Sequence, residues 1–387
     1  MKVTFFSNYL NHHQLPFCLS MVECLGDDFA FVATSKVSDE RLKLGYKDLD
    51  SQYSFVVRTC QDEERAYYLG EYSDVVIIGS SPTKYIKKRL KEGKLTFRYS
   101  ERLYRKGISL KTLVSIFIKR TIFESRNTYL LCASAYAARD YRLSLAYMNK
   151  CYKWAYFPEV REYADINNVI NNKISHTILW VARFIEVKHP EAVIELAKRL
   201  KNESIDFTIH MIGLGPLKPY IEKNILENEL TENVILLGAM SPDDVRKYME
   251  QSEILLFTSD KGEGWGAVIN EAMNSGCAVV SSHSVGAAPF LIKDGENGLL
   301  YKDGDADDLF LKTKYLLLNT SHRQDLGKEA YSTMLFKWNP KIAAERIIKL
   351  SDELLKHDER PIFEDGPCSK ADMLKDNWFI SQTKHDG

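Results

Sequence analysis

The sequence comprises 387 residues, of which 45% are hydrophobic and 27% charged, and its formal net charge is −1. A chain of this length exceeds what one hydrophobic core usually accommodates, so we expect two or three domains, and the composition excludes a disordered or fibrous protein. Because the chain contains neither a long apolar run nor a signal-peptide pattern at its start, we expect a cytoplasmic protein without a transmembrane helix.

The chain has seven cysteines, an odd number, and no pair with the C-x-x-C spacing. Most of them stand beside apolar residues, as Cys132 does between Leu131 and Ala133. We therefore expect buried free thiols in a reducing compartment, without disulfides or zinc.

In the first half of the chain, short apolar runs alternate with helical segments. We predict strands at 2–7, 29–34, 53–58, 74–79, 95–99 and 129–133, and helices at 15–25, 83–92 and 110–124. Apolar strands that are separated by helices indicate a parallel sheet with helices on both faces.

The same alternation restarts after the asparagine-rich stretch 159–175. Strands are predicted at 176–182, 207–212, 234–237, 254–258 and 278–281, and helices at 190–200 and 340–355. The pattern predicts an α/β protein with two doubly wound, Rossmann-like domains, 1–157 and 158–340, that face each other across a cleft. We expect residues 341–387 to form C-terminal helices and a tail, and the tail to contain a short helix that packs back on the first domain. Ligands of such sheets bind beyond the carboxyl ends of the strands, so the site is expected in the cleft.

Basic residues are concentrated between residues 84 and 126, where 14 Lys and Arg stand against 3 Asp and Glu. They are interleaved with apolar residues such as Ile116, Phe117 and Ile122. A basic amphipathic surface of this kind can lie on an anionic membrane, or it can be a helix with one face in the core and the other in solvent. Both interpretations stay open, whereas nucleic acid is not an expected partner because no recognition motif accompanies the charge.

The most informative motif is the glycine-rich segment 261–272, which reads KGEGWGAVINEA. It places Glu263 in a glycine-rich loop and Glu271 eight residues later, on the helix that follows the loop. Glycine lets the backbone approach a ligand closely, and the N–H groups in the first turn of a helix bind anions such as phosphate. Two carboxylates beside a phosphate site can accept hydrogen bonds from hydroxyl groups, so the segment predicts a site for a nucleotide sugar.

Three further segments end predicted strands of the second half and are expected to meet in the same crevice. Arg183 and Lys188 stand five residues apart after the first of these strands, residues 213–216 form a Gly-Leu-Gly-Pro turn, and Met240 follows the third strand. In this order and spacing, the four segments resemble the retaining glycosyltransferases of family 4, which have the GT-B architecture. The resemblance covers about residues 176–340, whereas residues 1–156 share mainly the architecture. One departure is Ala182, because the family often has glycine before the arginine.

The resemblance implies a role for each of these residues. Arg183 and Lys188 would bind the donor's diphosphate and stabilise the charge on the departing nucleotide, while Glu263 would hold the hydroxyl groups of the sugar. The other donor-binding residues that it implies are Gly213, Gly215, Met240 beside the base, Gly264, Trp265, Gly266, Ala267 and Glu271 on the ribose. No protein nucleophile is needed if the leaving group departs and the acceptor attacks on the same face, which retains the anomeric configuration. Neither a cofactor nor an essential metal is expected.

The first domain carries polar residues at two predicted strand ends. The candidates for contact with the acceptor are Asn11, His12, His13, Gln14, Ser100 and Glu101. The alternative role of the loop 11–14 is to cap or pack the adjacent helix. For Glu101, the alternatives are an acceptor-side base and a member of a surface salt-bridge cluster.

Two other chemistries are less consistent with the pattern. Glu263 and Glu271, as the acid–base pair of a hydrolase, would lie ~12 Å apart along a helix, beyond the ~5 to 9.5 Å of glycosidases, unless the glycine loop folds back. A hydrolase also has no phosphate for the two cations to neutralise. Asp303 and Asp305 form a D-x-D pattern typical of metal-dependent sugar transfer, but they precede a helical segment and are interpreted as a helix cap.

We therefore predict a glycosyltransferase that moves a hexose-type sugar from a nucleotide diphosphate sugar to a glycan or a lipid-linked acceptor. By resemblance, its setting is the synthesis of cell-surface polysaccharide or lipopolysaccharide, in the cytoplasm or peripherally at the inner face of the plasma membrane. Two alternatives stay open: a nucleotide-sugar epimerase with the same fold, and a binding subunit that keeps the nucleotide site without catalysis.

Overall fold

The computed structural model describes residues 1–37, 48–105, 107–124, 127–356 and 363–379. The chain forms two compact units, Met1–Glu159 with Lys337–Lys375 and Val160–Phe336 with the described residues 376–379. Each unit contains one parallel sheet with helices between its strands. This arrangement confirms the predicted fold class of two doubly wound, Rossmann-like domains. Residues 106, 125 and 126 of the basic segment, and 357–362 and 380–387 of the predicted C-terminal part, lie outside the described residues.

The sheet of the first unit has seven strands in the order β3-β2-β1-β4-β5-β6-β7. The strands are β1 (Val3–Ser7), β2 (Phe29–Ala33), β3 (Val56–Arg58), β4 (Val75–Ile78), β5 (Thr96–Ser100), β6 (Thr128–Cys132) and β7 (Cys151–Lys153). The α-helices between them are Leu15–Leu25, Glu63–Tyr72, Lys87–Glu92, Leu110–Ile116 and Ala137–Arg142, and Phe117–Ile122 is a π-helix. The strands β1 and β4 are buried along their whole length, as expected of parallel strands covered on both faces.

The sheet of the second unit has six parallel strands in the order β10-β9-β8-β11-β12-β13. The strands are β8 (Ile174–Val181), β9 (Thr208–Ile212), β10 (Val234–Gly238), β11 (Ser252–Phe257), β12 (Ala278–Ser282) and β13 (Leu299–Tyr301). The main helices are Ile166–Asn171, Pro190–Asn202, Lys218–Glu227, Pro242–Gln251, Ala267–Asn274, Ala306–Leu318 and Thr320–Phe336, and Pro340–Lys356 follows in the first unit. The direction in which strands are added reverses between β8 and β11, and the loops at such a reversal form the binding crevice of doubly wound sheets.

The helix Pro190–Asn202 illustrates why the sequence forms these elements. Pro190 occupies its first turn, where the missing N–H group has no partner to lose. Val193, Ala197 and Leu200 recur every three or four residues and are buried in the core of the second unit. Their spacing matches the helical repeat, so one face of the helix packs on the sheet while its charged residues remain in solvent.

The C-terminal segment differs from its prediction. We expected a short helix in the tail, but the described residues 363–379 contain none. Residues 368–371 instead run antiparallel to β7, since Lys153 N donates to the Ser369 carbonyl (2.7 Å) and Ala371 N donates to the Cys151 carbonyl (3.0 Å). β7 is an edge strand with unpaired backbone groups, and an extended segment satisfies them better than a helix does. The described residues 363–375 belong to the first unit and residues 376–379 to the second.

All seven cysteines are free, and Cys18, Cys132, Cys277 and Cys368 are buried. Cys24 and Cys60 are exposed, so the expectation of burial is wrong for these two thiols. Among the residues that the structure describes, every helix is too short or too polar to span a bilayer.

Candidate functional site

The loops after β8, β9, β10 and β11 leave the same edge of the second sheet, and hydrogen bonds join them. Phe184 N donates to the carbonyl of Leu214 (3.0 Å), and Gly213 N donates to that of Gly238 (2.7 Å). The predicted donor-side segments are therefore brought together. Met240 is half-buried at the end of this series.

The two glycines of the 213–216 turn permit a close approach between loops. A Cβ atom at Gly213 would lie 1.8 Å from the Ala182 carbonyl oxygen, and one at Gly215 would lie 2.4 Å from that of Phe184. Gly213 also has a φ of +142°, which side chains of other residues rarely permit. The turn therefore supports the backbone on both sides of Arg183. The Arg183 side chain is exposed and has no ion-pair partner among the described residues.

Lys188 and Glu263 form an ion pair between the loop after β8 and the loop after β11. Their side chains are only 15% and 16% exposed. Two hydrogen bonds hold the backbone of Lys188 in place. Its carbonyl accepts from Thr258 Oγ1 (2.7 Å), and Thr258 Oγ1 in turn accepts from Trp180 Nε1 (2.8 Å). The pair thus stands at the point of the sheet where the strand order reverses.

His189 adds a cation that the sequence analysis missed. Its Nδ1 lies 2.7 Å from Glu191 Oε1, and its Nε2 lies 3.2 Å from Asp260 Oδ2. Hydrogen bonding to Glu191, and then to Asp260, raises the pKa of His189 to about 9, so the ring is protonated at neutral pH. Asp260 also accepts a hydrogen bond from Gly262 N (2.6 Å), which orders the glycine-rich loop. The only signal in the sequence is a histidine directly after Lys188.

The helix Ala267–Asn274 begins as predicted, directly after the glycine-rich loop. Gly266 precedes it with a φ of +97°, and among the described residues no side chain caps this N-terminus. Trp265 is fully buried and its Nε1 donates to Asn270 Oδ1 (2.9 Å), so its indole is a packing group. Gly264 is buried and Ala267 is half-buried beside it.

Glu271 lies on this helix and is half-buried. Burial raises the pKa of its carboxyl group to about 7, although Arg246 and Arg161 act in the opposite direction. Arg246 donates to the Glu271 backbone carbonyl (2.9 Å), which holds the helix at this position.

The D-x-D pattern is a helix cap, as interpreted from the sequence. Asp305 Oδ1 accepts a hydrogen bond from Asp308 N (3.0 Å) at the start of the helix Ala306–Leu318. This confirms the structural explanation of the pattern.

The first unit contains a cavity of about 630 Å³ at the carboxyl ends of β1, β4 and β5. The structure brings all six acceptor candidates of the sequence analysis to its wall: Asn11, His12, His13, Gln14, Ser100 and Glu101. Arg98, Arg102, Arg120 and Tyr156 also line it and were not predicted as site residues.

Several of these polar groups already have partners within the loop 11–14. Asn11 Oδ1 accepts from His13 N (3.0 Å), and Asn11 Nδ2 donates to Gln14 Oε1 (3.0 Å), so this loop orders itself. The His13 ring stacks on Tyr156, with 6.1 Å between the ring centroids. Burial, and then the neighbouring His12, lower the pKa of His13, which keeps its ring neutral.

Glu101 has partners on two sides. Its Oε1 accepts a hydrogen bond from the Tyr156 hydroxyl (2.6 Å), and it forms an ion pair with Arg105. Ser100 Oγ accepts from the Tyr141 hydroxyl (2.9 Å). Glu101 therefore forms a salt bridge, as one of its two interpretations from the sequence predicted, and it also lines the cavity.

Solved structures share this fold of two Rossmann-like units. The structure of HepE from Anabaena, in complex with UDP, superposes with a TM-score of 0.68 at 15% identity, over 90% of this chain and 98% of that one. This likeness concerns the fold alone.

Comparison of the sequence with known proteins gives matches to only part of the chain. Residues 164–333 match the family model described as glycosyl transferases group 1. An uncharacterized glycosyltransferase of Methanocaldococcus jannaschii is 31% identical over 177 residues, which is 46% of this chain and 48% of the relative. The amylovoran biosynthesis glycosyltransferase AmsK of Erwinia amylovora is 34% identical over 137 residues, or 34% of this chain and 33% of AmsK. The chain thus spans about half or less of the length of these relatives.

Proposed function

We propose that this protein is a retaining glycosyltransferase that transfers a hexose-type sugar from a nucleotide diphosphate sugar to a glycan or lipid-linked acceptor. The observation that carries the proposal is the ion pair of Lys188 and Glu263 where the strand order reverses, in the loop that also contains Arg183. One cation is already held in place there, and the second has no carboxylate partner among the residues that the structure describes.

Binding of the diphosphate would change the partners of this pair. The phosphate oxygens would take the place of Glu263 beside Lys188, and Arg183 would neutralise the second charge. Glu263 would then be released to accept hydrogen bonds from hydroxyl groups of the sugar. The same ligand that needs the cation therefore also needs the carboxylate, which explains why both are placed together.

In the transfer itself, the acceptor oxygen bonds to the anomeric carbon while the bond from that carbon to the phosphate oxygen breaks. The departing diphosphate takes up the acceptor's proton on the same face, so the anomeric configuration is retained. Arg183 and Lys188 stabilise the negative charge that grows on the leaving group, and such stabilisation is usually the largest catalytic contribution. The mechanism requires neither a protein nucleophile nor a metal.

The name of AmsK, a biosynthetic glycosyltransferase, and the UDP bound to HepE support cell-surface polysaccharide or lipopolysaccharide synthesis as the setting and UDP-sugars as the first donors to test. A panel of UDP- and GDP-sugars is screened by thermal shift on the wild-type protein and on Lys188→Ala. A donor raises the melting temperature of the wild type more than that of the variant, because only a ligand of the folded site stabilises it. Equal shifts in both proteins contradict the proposed donor site.

The reaction class is tested with the donor found in this way. We expect release of the nucleotide only with an acceptor, and a product whose anomeric proton has the same coupling constant as the donor. Conversion of the donor without any acceptor identifies an epimerase. Binding without turnover on any acceptor identifies a non-catalytic subunit.

The proposal includes peripheral attachment to an anionic membrane through the segment 84–126. Leu110, Ile122 and Phe123 are 77%, 58% and 72% exposed, and the exposed Lys111 and Lys119 lie between them. Exposed apolar and cationic side chains together bind anionic lipid, and salt weakens the cationic part.

Flotation with phosphatidylglycerol vesicles tests this attachment. We expect flotation of the wild type at low salt, less at high salt, and less for Phe123→Ser. The matched control is Leu226→Ser in the second unit, since Leu226 is 66% exposed and should not matter. Flotation that neither salt nor Phe123→Ser reduces contradicts the assignment.

A further inference from the structure

The wall of the first-unit cavity is rich in guanidinium groups. Arg98, Arg102, Arg105 and Arg120 all line it. The side chains of Arg98 and Arg102 are only 6% and 2% exposed, so these are buried charges rather than solvated surface groups. Buried charges require counter-charges, because removing an ion from water costs several kcal/mol.

The counter-charges are shared unequally. Glu124 alone pairs with both Arg98 (2.5 Å) and Arg120, and it also accepts a hydrogen bond from the Tyr147 hydroxyl. Arg105 pairs with Glu101, so its charge is matched.

Arg102 has a more distant counter-charge. Its Nε lies 3.7 Å from Asp140, whose Oδ2 also accepts from Leu103 N (2.8 Å) and Tyr104 N (3.1 Å). The clearest imbalance is at Glu124, where one carboxylate faces the two guanidinium groups of Arg98 and Arg120. These three side chains therefore carry one more positive than negative charge.

Arg120 has the clearest capacity for another partner. Its Nε is buried and has no hydrogen-bond acceptor among the described residues. A buried donor without a partner is costly, so the environment of this guanidinium group is incomplete, and an anion at its cavity-lining side would balance the excess charge. The remaining wall offers hydroxyl groups from Ser100, Tyr141 and Tyr156, which suit a carbohydrate. The volume of about 630 Å³ lies within the range of ordinary ligand sites.

We propose that this cavity binds an acceptor that carries a phosphate or carboxylate group, and that Arg98 and Arg120, which share Glu124, hold that group. That the ligand is an acceptor rests on the proposed function, whereas the anion site itself does not. Guanidinium groups suit such anions because their planar N–H donors match two oxygens at once.

Anion binding is measured by calorimetric titration with inorganic phosphate at constant ionic strength, in the full-length Arg183→Ala/Lys188→Ala variant. This background removes Arg183 and Lys188, the two cations proposed to bind the donor's diphosphate, and the dependence of the heat on Arg120 assigns the remaining binding to the first-unit cavity. We expect saturable binding there. Arg120→Gln should weaken it about 10-fold or more, as the loss of a charged hydrogen bond does. Lys119→Gln, which alters an exposed neighbouring cation, should leave it unchanged.

Glu124→Gln separates an anion site from a purely structural cluster. Removing the shared carboxylate increases the excess positive charge, so phosphate should bind more tightly. A structural role predicts lower stability and no gain in affinity. Circular dichroism establishes that each variant is folded, and Arg120→Gln still decides the question if Glu124→Gln does not fold. Absence of phosphate binding in the folded double variant, or equal affinity with and without Arg120, overturns the proposal.

Three probes distinguish the source of the anion. Glucose 1-phosphate, glucuronate and phosphatidylglycerol vesicles are each tested with Arg120→Gln and with the control Lys119→Gln. The probe whose binding depends on Arg120 but not on Lys119 identifies a sugar phosphate, a sugar carboxylate or a lipid phosphate. These titrations need no turnover, so they can succeed even if the protein is not a transferase. Transfer to a neutral acceptor that is unaffected by Arg120→Gln overturns this inference alone and leaves the proposed function intact.

Discussion

Replacement of Lys188 tests the donor site most directly, because the structure predicts separate effects on turnover and on stability. Lys188→Ala removes a charge from the place where the leaving group becomes negative. The loss of one such stabilising group typically lowers turnover ~10²- to 10³-fold, which corresponds to ~2.7–4 kcal/mol. The same substitution leaves Glu263 largely buried without its counter-charge.

The stability effect follows from the burial of the pair. Exposed ion pairs contribute up to about 1 kcal/mol, and breaking a fully buried pair costs ~3–5 kcal/mol. Side chains that are 15% and 16% exposed lie between these cases, so we expect Lys188→Ala to lose about 1–3 kcal/mol of unfolding free energy.

The double variant Lys188→Ala/Glu263→Gln separates the two effects. It no longer contains an unpaired carboxylate, so urea unfolding should show recovered stability. Nucleotide release in the presence of acceptor should stay as low as in the single variant. Wild-type turnover in Lys188→Ala, or turnover that recovers together with stability in the double variant, refutes the assignment of Lys188 to the leaving group.

Three further predictions concern other residues of the second unit. Gly213→Ala should unfold at clearly lower urea concentration, since its Cβ would overlap the Ala182 carbonyl. The control Gly238→Ala is also at positive φ but has open space around it, so it should lower the unfolding free energy by only about 1 kcal/mol. Equal losses in the two variants would contradict the packing explanation. His189 should stabilise the fold fully below its ordinary pKa of 6.5, and this contribution should disappear as the pH rises through about 9, because the unfolded ring loses its proton first. The difference in urea midpoint between wild type and His189→Gln should therefore be larger at pH 6 than at pH 9.5, and a constant difference would refute the ion pairs of His189. Asp305→Ala should lose about 1 kcal/mol with its helix cap while Asp303→Ala does not, and nucleotide release by the wild type should be insensitive to EDTA.

The sequence determined the elements whose pattern is local. Apolar runs such as 75–78 and 254–257 indicated buried parallel strands, and the spacing of apolar residues along 190–202 indicated an amphipathic helix. The order of strands and helices was sufficient for the fold class, because parallel strands require helical crossovers. The predicted strand ends also indicated which loops form the candidate site, since the carboxyl ends of parallel strands lie at the same edge of the sheet.

Very short strands, and pairings between segments that are far apart in the chain, could not be predicted in this way. The three-residue strands β7 and β13 are too short to show a period, and the tail pairs with β7 only because that edge is open after folding. No local pattern in the sequence indicates that this part of the tail pairs with a strand instead of forming a helix.

The charge pairs show the same division most clearly. The sequence identified Lys188 and Glu263 as separate members of one site, but only the tertiary structure joined them, 75 positions apart. It likewise placed Glu124 between Arg98 and Arg120, and His189 between Glu191 and Asp260. The spacing of residues within one strand or helix is fixed by local geometry, whereas the partner of a charge depends on which loops the completed sheets bring to the same edge.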